Sequence, residues 1–125
     1  MSYPYASAYE QIAFFIKGKK CISYDNTVTN VLSHPKIHNQ HPLREVNETA
    51  KPVELLKDLI KVCSKEGDIG MDLYGGSLSF AEACLEMKRH SITFEKDEEM
   101  INKALECRKF NAINLGTNKS ISTCT

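Results

Sequence analysis

The second half of the chain shows three helical periods separated by two short strand-like runs. Apolar residues recur every three or four positions after Pro52, after Ser79 and after Asp97, which is the spacing of one buried helix face. The runs between them, residues 69–73 and 91–95, are alternating or β-branched and predict strands. A strand, a helix and a second strand in this order predict a right-handed parallel βαβ unit.

Each predicted helix begins at a residue that favours a helix N-terminus. Pro52 fits a first helical turn because its missing N–H would have no helical partner there. Ser79 and Glu82 have the spacing of a capping box, and Asp97 is an acidic N-cap. We therefore expect all three helices to start close to these positions.

The first half of the chain holds one apolar cluster and a long polar stretch. Residues 12–16 (IAFFI) end at a Lys-Gly pair and predict a buried strand, whereas residues 21–50 predict a long loop. The stretch 111–125 is rich in Asn, Ser and Thr and predicts a flexible tail. We expect an α/β domain over residues 1–110 with an incomplete sheet, which either pairs with another polypeptide or is a fragment or reduced relative.

Composition and charge exclude several classes of protein. The 125 residues carry 16 Lys+Arg and 16 Asp+Glu, so a strongly basic nucleic-acid-binding protein is excluded on bulk charge, although a local basic patch is allowed. No apolar run reaches the roughly 18 residues of a membrane span, and the start lacks the pattern of a secretory signal. The five cysteines include no CxxC pair, which favours reduced thiols and a cytoplasmic location.

Two further groups of residues are assigned structural roles. Cys84 and Cys107 lie on predicted helices, and we expect both to face the core. His34, His38 and His41 have ligand-like spacing but lack an evident fourth ligand, so we predict no metal site.

The candidate chemistry lies in the glycine turn and in the acid that follows the second strand. Gly75 and Gly76 let the backbone approach a ligand, and the N–H groups that open the next helix attract an anion. Glu95 stands 19 residues after Gly76, where an acidic residue of a nucleotide-binding unit accepts hydrogen bonds from ribose hydroxyls. A turn with two glycines is also common in loops that bind nothing, so this alternative stays open.

Four segments in this order resemble S-adenosylmethionine-dependent DNA amino-methyltransferases. They are AYEQIAFFIKGKK (8–20), KPVELLKDLI (51–60), GDIGMDLYGGSLSFAEAC (67–84) and RHSITFEKDEEM (89–100). The order resembles that of the circularly ordered subgroup, in which the KPVELL helix precedes the glycine turn, and the likeness is to its C-terminal part. Those enzymes methylate the exocyclic amine of adenine or cytosine. The resemblance implies a partial Rossmann-like methyltransferase fold, S-adenosylmethionine as cofactor and DNA as partner.

The resemblance also implies which residues bind the cofactor. The family's turn reads D-P-F-x-G-S-G-[ST], and the family has a ribose-binding acid and an H-P-T-x-K-P stretch that lines the cofactor pocket. The residues of this chain that match these positions and are implied to bind the cofactor are Thr49, Asp72, Tyr74, Gly76, Ser77 and Glu95. Leu78 replaces the second glycine of the turn. A branched side chain there would crowd the methionine part of the cofactor or demand a different backbone.

The family's catalytic motif, [DNS]-P-P-[YFW], does not occur in these 125 residues. In the family it accepts hydrogen bonds from the target amine and stacks on a flipped-out base. The tetrapeptide at residues 2–5 (SYPY) is similar, but it lies too close to the first predicted strand, so we assign no catalytic residue.

Two functions agree with this pattern. The first is a truncated or divergent methyltransferase-like protein, which we expect a phage or mobile element to encode. It would bind the cofactor and take the catalytic motif from a second chain. The second is a non-catalytic remnant or interaction module that has lost the cofactor, with Leu78 filling the pocket.

Overall fold

The computed structural model describes residues 9–18, 23–38, 40–108, 113–115 and 120–123. Within these ranges the regular elements, in chain order, are α1 (Pro42–Val46), α2 (Val53–Cys63), β1 (Ile69–Asp72), α3 (Ser79–Glu86), β2 (His90–Phe94), α4 (Glu98–Arg108), β3 (Ile113–Leu115) and β4 (Ser120–Thr123). The tetrapeptide at residues 2–5 and two of the cysteines, Cys21 and Cys124, lie outside the described residues. Among the described residues, no helix could span a lipid bilayer.

The predicted βαβ unit is present. β1 and β2 pair in parallel, with Ile69 opposite His90 and Asp72 opposite Thr93, and α3 connects them. The chain therefore has the predicted α/β fold, with a parallel βαβ core and a small sheet among the described residues. β4 adds to β2 antiparallel and β3 adds to β4, which gives the strand order β1-β2-β4-β3.

Two strands lie within residues 111–125, the segment interpreted as a flexible tail. β4 pairs with β2, and Phe94 stands opposite Ser120. These strands are not evident from the sequence, because a stretch rich in Asn, Ser and Thr has a weak hydrophobic pattern and the pairing partner is distant in sequence. The proposed domain limit at residue 110 stays a prediction.

The buried strand predicted at residues 12–16 is wrong. These residues have no regular structure and are exposed, with Phe15 at 89%. An apolar run becomes a strand only when a neighbouring strand takes up its backbone N–H and C=O groups. The predicted loop at 21–50 is irregular over residues 23–38, but it also contains the short helix α1.

The core consists of two clusters that share α3. One joins α1, the start of α3 and α4, and its buried members are Val46, Leu78, Ala81, Ile101 and Ala104. The other joins α2 to α3, and its members, buried and partly buried, are Ile60, Ala83, Cys84, Val53, Leu56, Phe80 and Met87. The predicted apolar faces of α3 and α4 are therefore confirmed. That of α2 is confirmed for Val53, Leu56 and Ile60, whereas Cys63, predicted on the same face, is exposed.

One cysteine prediction is confirmed and one is wrong. Cys84 is buried, whereas Cys107 is exposed. The buried stripe of α4 runs through Ile101 and Ala104 to the side chain of Arg108, and it passes Cys107 by. Cys107 and Arg108 lie three and four residues after Ala104, so helical spacing allows either one to continue the buried stripe. Packing against α3 decides that Arg108 does.

The helix starts agree with the sequence in part. The carboxylate of Asp97 accepts the backbone N–H groups of Glu99 and Met100 at 3.0 and 3.1 Å, so the predicted N-cap is confirmed. The predicted capping box of α3 is wrong. Its N-cap residue is Leu78, and the side chains of Ser79 and Glu82 contact a buried arginine instead.

Candidate functional site

The turn between β1 and α3 is attached to the end of β2. The N–H of Gly75 donates to the carbonyl of Phe94, and the N–H of Leu78 donates to the carbonyl of Gly75, both at 2.8 Å. A Cβ added at Gly75 would lie 2.4 Å from Cγ2 of the buried Thr93. Glycine is required here because the second strand leaves no room for a side chain.

The carboxylate of Glu95 is held by two backbone N–H groups. Its Oε2 accepts the N–H of Gly76 at 2.8 Å, and its Oε1 accepts the N–H of Asp97 at 3.0 Å. Gly76 has φ +51°, which places it in the left-handed region that favours glycine. A carboxylate offers roughly four lone-pair positions, so each oxygen retains acceptor capacity after these two bonds. Glu95 is therefore fixed in orientation and still able to accept ligand hydroxyls.

An open cleft of about 360 Å³ lies between this turn and the segment that precedes α2. Its lining residues are Asn47, Thr49, Ala50, Lys51, Leu56, Met71, Asp72, Tyr74, Gly75, Gly76, Ser77, Ser79 and Phe80. Five of the six residues singled out in the sequence line it, and the sixth, Glu95, contacts the turn through Gly76 without lining the cleft. The fold therefore brings together segments that lie more than twenty residues apart in the chain.

Local hydrogen bonds shape the two walls of the cleft. On one wall the Asp72 carboxylate accepts the N–H of Tyr74 at 3.0 Å, and the Tyr74 side chain is 88% exposed. On the other wall Oδ1 of Asn47 accepts the N–H of Thr49 at 2.9 Å and its hydroxyl at 2.8 Å. This bond orients the Thr49 hydroxyl.

The Asn47 side chain also lies close to the opposite wall of the cleft. A Cβ added at Gly76 would lie 2.6 Å from the Asn47 side-chain nitrogen. Asn47 was not among the residues predicted from the sequence, although an Asn two residues before a Thr is a signal for a side-chain-bonded turn.

The Leu78 side chain does not enter the cleft. It is fully buried in the cluster that joins α1, α3 and α4, and it is not among the residues that line the cleft. Leu78 has φ 59° and ψ 25°, the left-handed conformation that a glycine adopts without strain. This conformation costs a leucine about 1–2 kcal/mol. Complete burial of the side chain contributes about 1.5–3 kcal/mol, which offsets the strain.

A buried arginine from α4, which was not predicted from the sequence, contacts the same turn. Arg108 donates from Nε to the carbonyl of Ser77 and from Nη2 to the hydroxyl of Ser79 at 2.8 Å, while Nη1 pairs with Glu82. Its side chain is 2% exposed, and burial lowers the pKa of Arg108 to about 10. The guanidinium therefore stays charged at neutral pH. The signal in the sequence was its place four residues after Ala104, on the buried stripe.

The histidines of the long loop are not brought together as a metal site. His34 lies 2.8 Å from the Asp58 carboxylate on α2. Within the described ranges no group of three or more His, Cys, Asp or Glu side chains is placed to hold a metal ion.

A parallel βαβ unit with a glycine turn, an adjoining cleft and an acid fixed at the end of β2 has the character of a methyltransferase-like α/β domain. Comparison with protein families agrees, because a family model described as DNA methylase matches residues 2–106. The chain belongs to this DNA methylase family. No curated protein and no solved structure matches the chain.

Proposed function

We propose that this chain is the S-adenosylmethionine-binding part of a methyltransferase that acts on the exocyclic amine of adenine or cytosine in DNA. The observation that carries the proposal is the position of the Glu95 carboxylate, bonded to Gly76 at the turn that lines the cleft. Membership of the DNA methylase family supports the cofactor and DNA as partner. The resemblance to the circularly ordered subgroup supports the exocyclic amine as the target.

The residues at the cleft have the chemistry that the cofactor requires. Glu95 would accept the ribose hydroxyls, and Tyr74 presents an aromatic face. Leu78 makes no side-chain cap to α3, so first-turn N–H groups would meet the carboxylate of the methionine part. The cleft of about 360 Å³ falls in the range of small-molecule sites. The cofactor supplies a methyl group on a sulfonium, which is reactive without activation by the protein.

The residues that bind the target amine must lie outside these 125, since the catalytic tetrapeptide is absent from them. Methyl transfer requires the target amine in line with the methyl group, so the missing motif has to lie near the glycine turn. We propose that a second polypeptide supplies it and docks beside β1. In the described part of the chain β1 pairs with β2 alone, and its Ile69 and Met71 are more than half exposed.

The alternative, a remnant or interaction module without cofactor, depended on Leu78 filling the pocket. That side chain packs in the core instead. Cofactor binding is therefore the function that these observations favour.

Isothermal titration of the chain with S-adenosylmethionine tests the proposal. We expect micromolar affinity, and we expect Glu95→Gln to weaken it about tenfold or more, because an amide cannot accept both N–H groups and the ribose hydroxyls. Glu106→Gln is the matched control, since Glu106 lies exposed on α4 away from the cleft. Absence of heat at millimolar ligand would overturn the proposal, and so would equal affinity in the two variants.

A further inference from the structure

Arg108 contacts the residues on both sides of a strained position. Its Nε donates to the carbonyl of Ser77 and its Nη2 donates to the hydroxyl of Ser79, and these two residues flank Leu78. Leu78 adopts φ 59°, which a leucine does not hold without support from its surroundings. The two serine hydroxyls also lie 3.0 Å apart, so Ser77, Ser79 and Arg108 form one connected hydrogen-bond network.

We propose that Arg108 is a positioning residue for the cleft: it holds the turn from Gly76 to Ser79 in the left-handed geometry that a glycine at position 78 would adopt unaided. The guanidinium is suited to this task because its planar set of donors can meet two acceptors at fixed angles. Glu82 pairs with it on the first turn of α3, so the buried charge is compensated. Loss of Arg108 would free the turn to leave this geometry and would weaken ligand binding in the cleft.

Arg89, which lies between α3 and β2, provides a matched comparison. It is also buried, and it donates to the hydroxyl and the carbonyl of Ser64 and to the carbonyl of Met87. These contacts lie beyond the C-terminal end of α3, the end opposite the cleft. Removal of either arginine deletes a buried, multiply bonded guanidinium, but only Arg108 touches the turn.

The first test needs no ligand. Amide hydrogen exchange, measured by NMR, would follow the N–H groups of Gly76 and Leu78 relative to that of Ile60 in α2. We expect Arg108→Met to accelerate the two turn amides at least tenfold relative to the reference, and Arg89→Met to leave that ratio within threefold. The variant Arg108→Met with Glu82→Gln removes both charges and keeps the test valid if the single variant folds poorly.

A double-mutant cycle separates this role from general stabilisation. Leu78→Gly makes the left-handed conformation free of strain, so we expect Arg108→Met to change the exchange ratio less than threefold in that background. A purely structural role predicts the same factor in both backgrounds, and that result would overturn the proposal. Equal ratios in Arg108→Met and Arg89→Met would overturn it as well.

The ligand arm rests on the proposed function. Titration with S-adenosylmethionine should show at least a tenfold loss of affinity in Arg108→Met and less than a threefold loss in Arg89→Met. If the unmodified chain does not bind, cofactor binding fails while the exchange experiment still decides the role of Arg108. If it binds and Arg108→Met retains full affinity, the role of Arg108 at the cleft is refuted.

Discussion

Gly75→Ala tests how closely the turn lies against β2. The new Cβ would lie 2.4 Å from Cγ2 of Thr93 and 3.2 Å from Cδ2 of Leu78. Both neighbours are fully buried, so neither can turn into solvent. Extra atoms in a close-packed core cost about 1–3 kcal/mol, and the short contact with Thr93 leads us to expect a loss of about 2 kcal/mol in the free energy of unfolding.

Thr93→Ser supplies the compensating change. It removes the methyl group that collides, and it keeps the hydroxyl, which has no hydrogen-bond partner among the described residues. Alone it should cost about 1 kcal/mol through lost apolar burial. In Gly75→Ala with Thr93→Ser the new methyl occupies the vacated space. The loss in the free energy of unfolding of the double variant should therefore be smaller than the sum of the two single losses, by at least about 1 kcal/mol.

Urea unfolding followed by circular dichroism would give the four free energies. Gly67→Ala serves as the control, because Gly67 has φ +84° while no atom of the described chain lies within 4 Å of its added Cβ. Its loss comes from backbone strain, so Thr93→Ser should not rescue it. Additive losses in the Gly75 and Thr93 variants would show that the turn and β2 are not in the contact described.

Three further predictions concern other parts of the molecule. Leu78→Gly relieves backbone strain but empties a buried site, so we expect a loss of about 2–4 kcal/mol in urea unfolding and no gain in affinity for S-adenosylmethionine. Burial raises the pKa of Cys84 to about 11, so iodoacetamide at mildly alkaline pH should modify the exposed Cys107 and spare Cys84 until urea is added, as peptide mass spectrometry would show. Hydrogen bonding from Lys61 lowers the pKa of Asp25 to about 2, below its ordinary value. This contact therefore stabilises the folded chain above about pH 4 and is lost as pH falls towards 2, and Asp25→Asn should remove that part of the acid dependence.

Each of these predictions has a contrary outcome. Tighter cofactor binding in Leu78→Gly would mean that the leucine obstructs the cleft after all. Equal labelling of Cys84 and Cys107 in the native chain would contradict the packing of α3 against α2. An acid unfolding curve unchanged by Asp25→Asn would show that its pairing with Lys61 does not hold the loop to α2.

The sequence by itself determined the elements whose signals are local. The faces of α2, α3 and α4, the βαβ order and the N-cap at Asp97 follow from spacing within a few residues. The glycine turn and its distance to Glu95 were also readable, because a parallel crossover puts both strand ends at one edge of the sheet. Residues 12–16 show the limit of such signals, since their apolar run predicts a strand but the folded chain leaves them exposed.

Only the tertiary structure decided which way the residues at the turn face. Leu78 turns into the core because α1 and α4 provide an apolar cavity for it, and Arg108 reaches Ser77 across 31 residues of sequence. β4 likewise forms because β2 offers it an edge. Periodicity describes one element at a time, whereas these contacts join residues far apart in the chain, and their free energy exists only after the elements have packed together.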